Sequence, residues 1–257
     1  MPSRRLPNSQ PTVLRTLTAA REAWKQFPTD RLISPIHWGK LDETAPTSFL
    51  NRFLKETGDV QTALAAQAPA TSAVSVAIDR LALHVSHFHQ VYDLGVARGV
   101  FTPAGRAHYG RDFTAGSLPD LSTHAAILEA GAQIATGEAA RAAAEGAAHI
   151  PMALPSAAQV AAVHTDAIAK RAAAETAKLD TDTEQNEVAA LYPEAHALAV
   201  SIINTIEFNL SERPDLDAPG RRRIARAWGV VYINDDGTVS EDLALEGTTP
   251  APTPQSN

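Results

Sequence analysis

Between residues 71 and 99, Val74, Ile78, Leu81, Val85, Phe88, Tyr92 and Gly95 recur at alternating spacings of four and three. On a helix of 3.6 residues per turn this spacing gathers all of them onto one narrow stripe, and such a stripe has to be covered by other helices. A second series at heptad spacing runs through Val188, Leu191, Ala195, Leu198, Ile202, Thr205 and Asn209. Between the two lie long alanine-rich stretches, 122–144 and 156–179, whose small side chains suit close helix packing. The fold class expected is therefore all-α: a four-helix bundle of long antiparallel helices, with short N-terminal helices and a small C-terminal β-hairpin-like appendage.

The punctuation of the chain divides this scheme further. Residues 1–11 read as a flexible arm, and 12–70 as short N-terminal helices packed on the bundle. Within that stretch, 12–27 is helical with Val13, Leu14, Leu17, Ala20 and Trp24 on one side until Pro28 ends it. Residues 29–46, with Pro35, Gly39 and Pro46, read as a loop that pins Ile36 and Trp38, and short helices follow at 47–55 and 59–67. The bundle core spans 71–211. A helical turn is expected over 101–109, a loop over 110–120 and a break over 146–155 around Pro151 and Pro155. Gly131 and Gly137 fall inside the helix at 122–144, where each costs about 1 kcal/mol relative to alanine in an exposed helix; a close crossing would explain them. Helices 156–179 and 184–210 form an antiparallel hairpin about an acidic tip, Asp180, Thr181, Asp182 and Thr183, with Pro193 kinking the second arm. Residues 212–246 form a basic turn and a β-prone appendage, with Trp228–Ile233 as one strand, a turn at 234–237 and a return strand over 238–243. Residues 247–257, rich in proline, threonine and serine, read as a disordered tail.

Composition narrows the chemistry. The 257 residues include no cysteine, which removes disulfides, thiolate nucleophiles and cysteine-ligated zinc. A net charge of −7 argues against nucleic acid as the partner, since phosphate contacts supply most of that affinity. No signal sequence and no transmembrane segment is legible, so a soluble, cytoplasmic protein is expected, with signal-less export left open.

Catalytic patterns are missing. There is no His-Glu-x-x-His, no phosphate-binding glycine pattern and no nucleophile elbow. No glutamate has a histidine three residues later, as a helical di-iron site requires. His84 and His87 share a helix face while His89 points elsewhere, and together they fall short of a ligand set. Glu145 and His149, four apart, fall at a fraying helix end. Arg106, His108, Tyr109, Arg111 and Asp112 cluster in a loop, where they read either as a small polar pocket or as hydrogen bonds anchoring the loop. These observations point away from an enzyme, with no cofactor and no metal, and toward a non-enzymatic structural or protein-interaction module. The interaction residues expected are Arg221, Arg222, Arg223 and Arg226, which suit protein carboxylates, with Trp228, Val230 and Tyr232 beside them. Asp180 and Asp182 of another copy would offer an acidic receiving surface, giving a homo-oligomer or filament; docking of the same apolar residues on their own chain is the competing arrangement. The alternative function is a small-molecule- or metal-binding bundle, an enzyme among its forms, using the His84/His87 face and the 106–112 loop.

Overall fold

The computed structural model describes residues 2–111, 118–234 and 237–239. The chain is mostly helical, with one small two-stranded antiparallel sheet. In order it forms β1 (Ser3–Arg5), α1 (Gln10–Gln26), α2 (Pro35–Leu41), α3 (Phe49–Ala97), a 3-10 segment (Pro103–Tyr109), α4 (His124–Glu145), a short 3-10 turn (Gly146–Ala148), α5 (Ala157–Ser211), α6 (Ala218–Ala227) and β2 (Val231–Ile233). These elements make two compact units, and α3 and α5 contribute to both: the first comprises Met1–Val60 with Glu184–Asn257, the second Gln61–Thr183.

The first unit is built on the face of α1 that carries Val13, Leu17, Ala20 and Trp24, all buried. Against this face pack Leu50 and Phe53 from α3, Leu198, Ile202 and Ile206 from α5, and Trp228 beyond α6. Trp228 is 1% exposed, and burying a side chain of that size stabilises the fold by roughly 2–3 kcal/mol. Gly229, at φ +91°, carries the chain from α6 into β2; a Cβ there would press on the backbone of Thr16, so the turn demands glycine on both counts. The second unit buries the sequence-predicted seam of α3, from Ile78 through Leu81, Val85 and Phe88 to Tyr92, against Ile127 and Ile134 of α4 and Val160 and Val163 of α5. Gly131 lets α4 approach both neighbours, since a Cβ there would stand 3.1 Å from Leu81 and from His164.

Several expectations need correction. The hairpin about residues 180–183 does not form, because α5 continues through it. Asp180 and Asp182 are exposed within the helix, whereas Thr181 is buried. The Thr181 and Thr183 hydroxyls donate to the carbonyls of Ala177 and Leu179 at 2.9 and 2.8 Å. A hydroxyl bonded four residues back keeps threonine within a helix, and nothing in the segment supplies the glycine or proline of a stop. The short helices expected at 47–55 and 59–67 and the long one at 71–99 are likewise one helix, α3. It passes Gly58 with the help of a Lys55–Asp59 ion pair at 2.6 Å, and it contains Pro69. A single core over 71–211 is thereby replaced by two buried clusters, one in each unit.

At the N-terminus, the arm expected to be flexible holds β1, which pairs antiparallel with β2 through Ser3–Ile233, Arg4–Tyr232 and Arg5–Val231. Arg4 also reaches Glu207 and Asn204, both at 2.7 Å. The strand expected to return over 238–243 is, among the described residues, a single bridge from Ile233 to Val239. The rest of that strand and the tail at 247–257 lie outside the described residues. The loop expected over 29–46 contains α2, capped by the Ser34 hydroxyl, which accepts from the His37 N–H at 3.2 Å. Trp38 is pinned, its ring stacked on Trp24 at 5.2 Å, whereas Ile36 is 79% exposed.

Candidate functional site

The densest polar chemistry lies in the second unit, where α3, the 3-10 segment and α4 meet. Glu138, Arg141 and Glu145 are spaced three and four apart, which sets the three charges on one face of α4. Gly137 lets the 3-10 segment lie directly on that face, because a Cβ there would collide with the carbonyl of His108. The Arg141 side chain, fully buried, then meets a partner in each direction. Its Nε donates to the Tyr109 hydroxyl at 2.7 Å, Nη1 to Glu145 at 2.9 Å, and Nη2 to Glu138 at 3.1 Å and to the Ile150 carbonyl at 2.7 Å. The Phe101 ring covers the guanidinium, with its centroid 5.1 Å away. The Tyr109 hydroxyl donates in turn to Glu138, which also accepts from the Met152 N–H at 3.2 Å. His149 spans the two carboxylates, with Nδ1 at 3.2 Å from Glu145 and Nε2 at 3.4 Å from Glu138.

Burial and pairing set the protonation states here. Burial raises Tyr109, and its hydrogen bond to Glu138 raises it further, so the phenol keeps its proton. Burial also works to raise Glu138, but bonds from Tyr109, Arg141 and Met152 outweigh it and hold the carboxyl below its usual range. Burial works against the charge on Arg141, but the hydrogen bond and charge of Glu138, together with Tyr109, outweigh it and hold the guanidinium charged. A second pairing lies alongside: Asp93 of α3 accepts from Arg106 at 2.7 Å and from Arg111 at 2.9 Å. Next to it His89 is 1% exposed, its Nε2 without a hydrogen-bond partner among the described residues, its ring edge-on to Phe88 and Tyr109. Burial, helped by the charge on Arg111, lowers its pKa to about 4.

This cluster contains acid and base groups, yet its geometry is that of a clasp. Tyr109 is 2% exposed and Arg141 is not exposed at all, so a substrate would have to displace the arginine to reach the phenol. Of the expected polar pocket, Arg106, Tyr109 and Arg111 are spent on tertiary bonds, and Asp112 lies outside the described residues. Glu145 and His149, expected at a frayed end, are bonded directly to one another, and Glu145 also accepts from Arg141. Sequence reasoning missed Asp93, Glu138 and Arg141. The signal available was a lone arginine flanked at three and four residues by glutamates within an alanine run.

His84 and His87 lie elsewhere in the same unit, in a groove of about 380 Å³ between α3 and the start of α5, with Leu83, Val91, Leu154 and Gln159. The His84 Nδ1 is bonded to the Arg80 carbonyl at 2.8 Å. Among the described residues lining this groove, these two imidazoles are the groups able to ligate a metal, fewer than the three or four protein ligands of a zinc site. Among the described residues, the grouping with ligand spacing is in the first unit: Glu56, Asp59 and Glu184, with donor oxygens within 4.8 Å of one another. Lys55 already neutralises part of it, at 2.6 Å from Asp59. A hydrogen bond to Glu56 and the charge of Glu184 raise the neighbouring Glu187.

The chain matches no known protein family, no curated protein and no solved structure. Its own geometry therefore carries the functional argument.

The residues expected to bind another copy are differently placed. Trp228, Val230 and Tyr232 are buried in the first unit's core, which is the intramolecular arrangement. Tyr232 is pushed up to about 12 by burial and by Glu207, to which its hydroxyl is bonded at 3.2 Å. Among the arginines of α6, Arg221 donates to the Leu216 carbonyl at 3.1 Å and Arg226 lies over the Tyr232 ring. Arg222 is half-buried and Arg223 exposed.

Proposed function

We propose that the chain is a non-enzymatic protein-interaction module whose contact surface is the outward face of α3 in the second unit. The observation that carries this reading is a second apolar stripe on that helix. Val76, Leu83, Val91 and Leu94 are 66, 53, 39 and 48% exposed, and their spacing sets them on one side, opposite the buried seam. Isolated exposed apolar residues are ordinary, but a row of them along several turns marks a place where something docks. The stripe replaces the C-terminal segment as the proposed contact, because the large apolar residues of that segment are already covered. The extended polar clasp supports the same reading, since it holds the helices in place without presenting a reactive group.

The test is a Leu83→Ser, Leu94→Ser double variant expressed in the source cells. The expected result is an unchanged melting temperature, together with a loss of the larger assembly in which the unaltered protein elutes from gently prepared extract. Elution of both proteins near the 27.2 kDa of the free chain overturns the reading. A small-molecule or metal role for the His84/His87 groove is favoured by its concavity alone. Stoichiometric metal that survives chelator dialysis and is lost in His84→Ala, His87→Ala would establish it.

A further inference from the structure

Successive residues of a strand point to opposite faces. Arg4 of β1 bonds Glu207 and Asn204 of α5, which leaves Arg5 on the other face of the small sheet, opposite Val231 in the register. There Arg5 and Arg15 of α1 line a pocket of about 150 Å³ with Leu6, Pro7, Val231 and Val239. All of these residues belong to the first unit, whereas the exposed stripe of α3 belongs to the second. A cavity of about 150 Å³ is large enough to hold one benzene molecule.

The charges and the walls indicate the ligand. Among the described residues, no carboxylate lines the pocket, and neither Arg5 nor Arg15 has an ion-pair or hydrogen-bond partner. Elsewhere in the same unit Arg4, Arg21 and Arg213 each hold a carboxylate. Two guanidiniums at one small cavity repel each other, and an anion between them replaces that repulsion by attraction. Both side chains are exposed, so a ligand reaches them from solvent. The hydroxyls of the lining are already committed: Thr12 donates to the Ser9 carbonyl at 2.8 Å and Thr16 to the Thr12 carbonyl at 3.0 Å. Pro7 has no N–H to offer. A phosphate, with three acceptor oxygens to satisfy, is poorly served here, whereas a carboxylate matches the planar fork of a guanidinium. Leu6, Pro7, Val231 and Val239 supply apolar surface for the rest of the molecule. We propose that this pocket binds a small organic carboxylate, with its carboxyl group at Arg5 and Arg15 and its compact apolar body against Leu6 and Val231.

The test uses the full chain and 4-fluorobenzoate, with binding read from its fluorine NMR signal. The uncharged twin 4-fluorobenzamide is the comparison, and hexanoate, acetate and inorganic phosphate are the competitors. The expected result is saturable one-to-one binding of the benzoate, at least tenfold tighter than that of the amide and weakened by added salt. Hexanoate displaces it at concentrations at least tenfold lower than acetate, because acetate leaves the apolar walls uncovered. Arg5→Gln and Arg15→Gln, at exposed positions and with unchanged circular dichroism, each lower the affinity at least tenfold. Equal binding of the acid and the amide, or binding that survives replacement of both arginines, overturns the proposal. Displacement by phosphate at lower concentration than by hexanoate makes this a phosphate site and overturns it too. Glu241 and Asp242, outside the described residues, follow Val239 closely in the chain and are the other source of carboxylate. If the full chain binds no acid while Glu241→Gln with Asp242→Asn does, the pocket belongs to the chain's own carboxylates and the proposal fails, as it does if neither protein binds.

Discussion

Burial keeps His89 neutral until its pKa of about 4, whereas an exposed imidazole takes up a proton near 6.5. Below pH 6.5 the unfolded chain therefore binds a proton that the folded chain refuses, and stability falls as the pH drops from 6.5 toward 4. The loss contributed by this residue reaches about 3 kcal/mol at pH 4. Urea unfolding at pH 7 and pH 4.5 measures it: His89→Leu should flatten the difference by most of that amount, and an unchanged difference would place the acid sensitivity elsewhere. Arg141 makes a second test of the same unit. Arg141→Met strands Glu138 and Glu145 beside one another without their cation, and breaking a buried pair in this way costs about 3–5 kcal/mol. Because both carboxylates retain some exposure, the lower end is expected, read as a fall in the denaturant midpoint. Neither role was legible from residue type. A histidine among histidines looks like a ligand until burial is known, and an arginine in an alanine run looks solvent-facing until a glycine one turn earlier brings another backbone onto its helix.

At the scale of elements, the helical periodicity of both long seams was legible, and the places where helices stop were not. Asp-Thr-Asp-Thr looked like a loop because each residue disfavours a helix interior slightly. The sum is small beside the hydrogen bonds and packing gained by continuing, and the threonine hydroxyls bond back to the helix. Pro193, expected within a helical arm, sits inside α5, and Pro69 sits inside α3, each costing one backbone bond that a long, well-packed helix absorbs. The strand β1 had no signal at all, since Ser-Arg-Arg becomes a strand only by meeting β2 about 230 residues later. A proline placed at an exposed tip would be tolerated, whereas in a continuous helix it removes a bond and clashes one turn back. Asp182→Pro should therefore lower stability by about 3 kcal/mol, with visible loss of helical circular dichroism. Asp182→Ala, which alters the same exposed side chain without the ring, should be nearly neutral. Equal behaviour of the two variants would restore the hairpin.

At the scale of the whole molecule, the sequence announces a large helical core, and the distribution of buried residues makes it two. The seam read at 71–99 lies in the second unit and the seam read at 188–209 in the first, so the two strongest periodic signals belong to different clusters. Periodicity reports that a face is buried but carries no information on which other face buries it. The clusters can be separated experimentally. Leu81 is fully buried among Ile78, Val85, Ile134 and the alanines of the second cluster, and Leu198 is 6% exposed among the residues of the first. An aspartate at either position places an unpaired charge in an apolar core, which costs several kcal/mol. Leu81→Asp should strip hydrogen-exchange protection from 61–183 while the buried segments of 10–60 and 188–233 keep theirs, and Leu198→Asp should do the reverse. α3 and α5 report most sharply, because each should lose protection in one half and hold it in the other, with the change falling near residues 60 and 184. Uniform loss of protection along both helices in either variant would mean that the two cores melt as one cooperative unit.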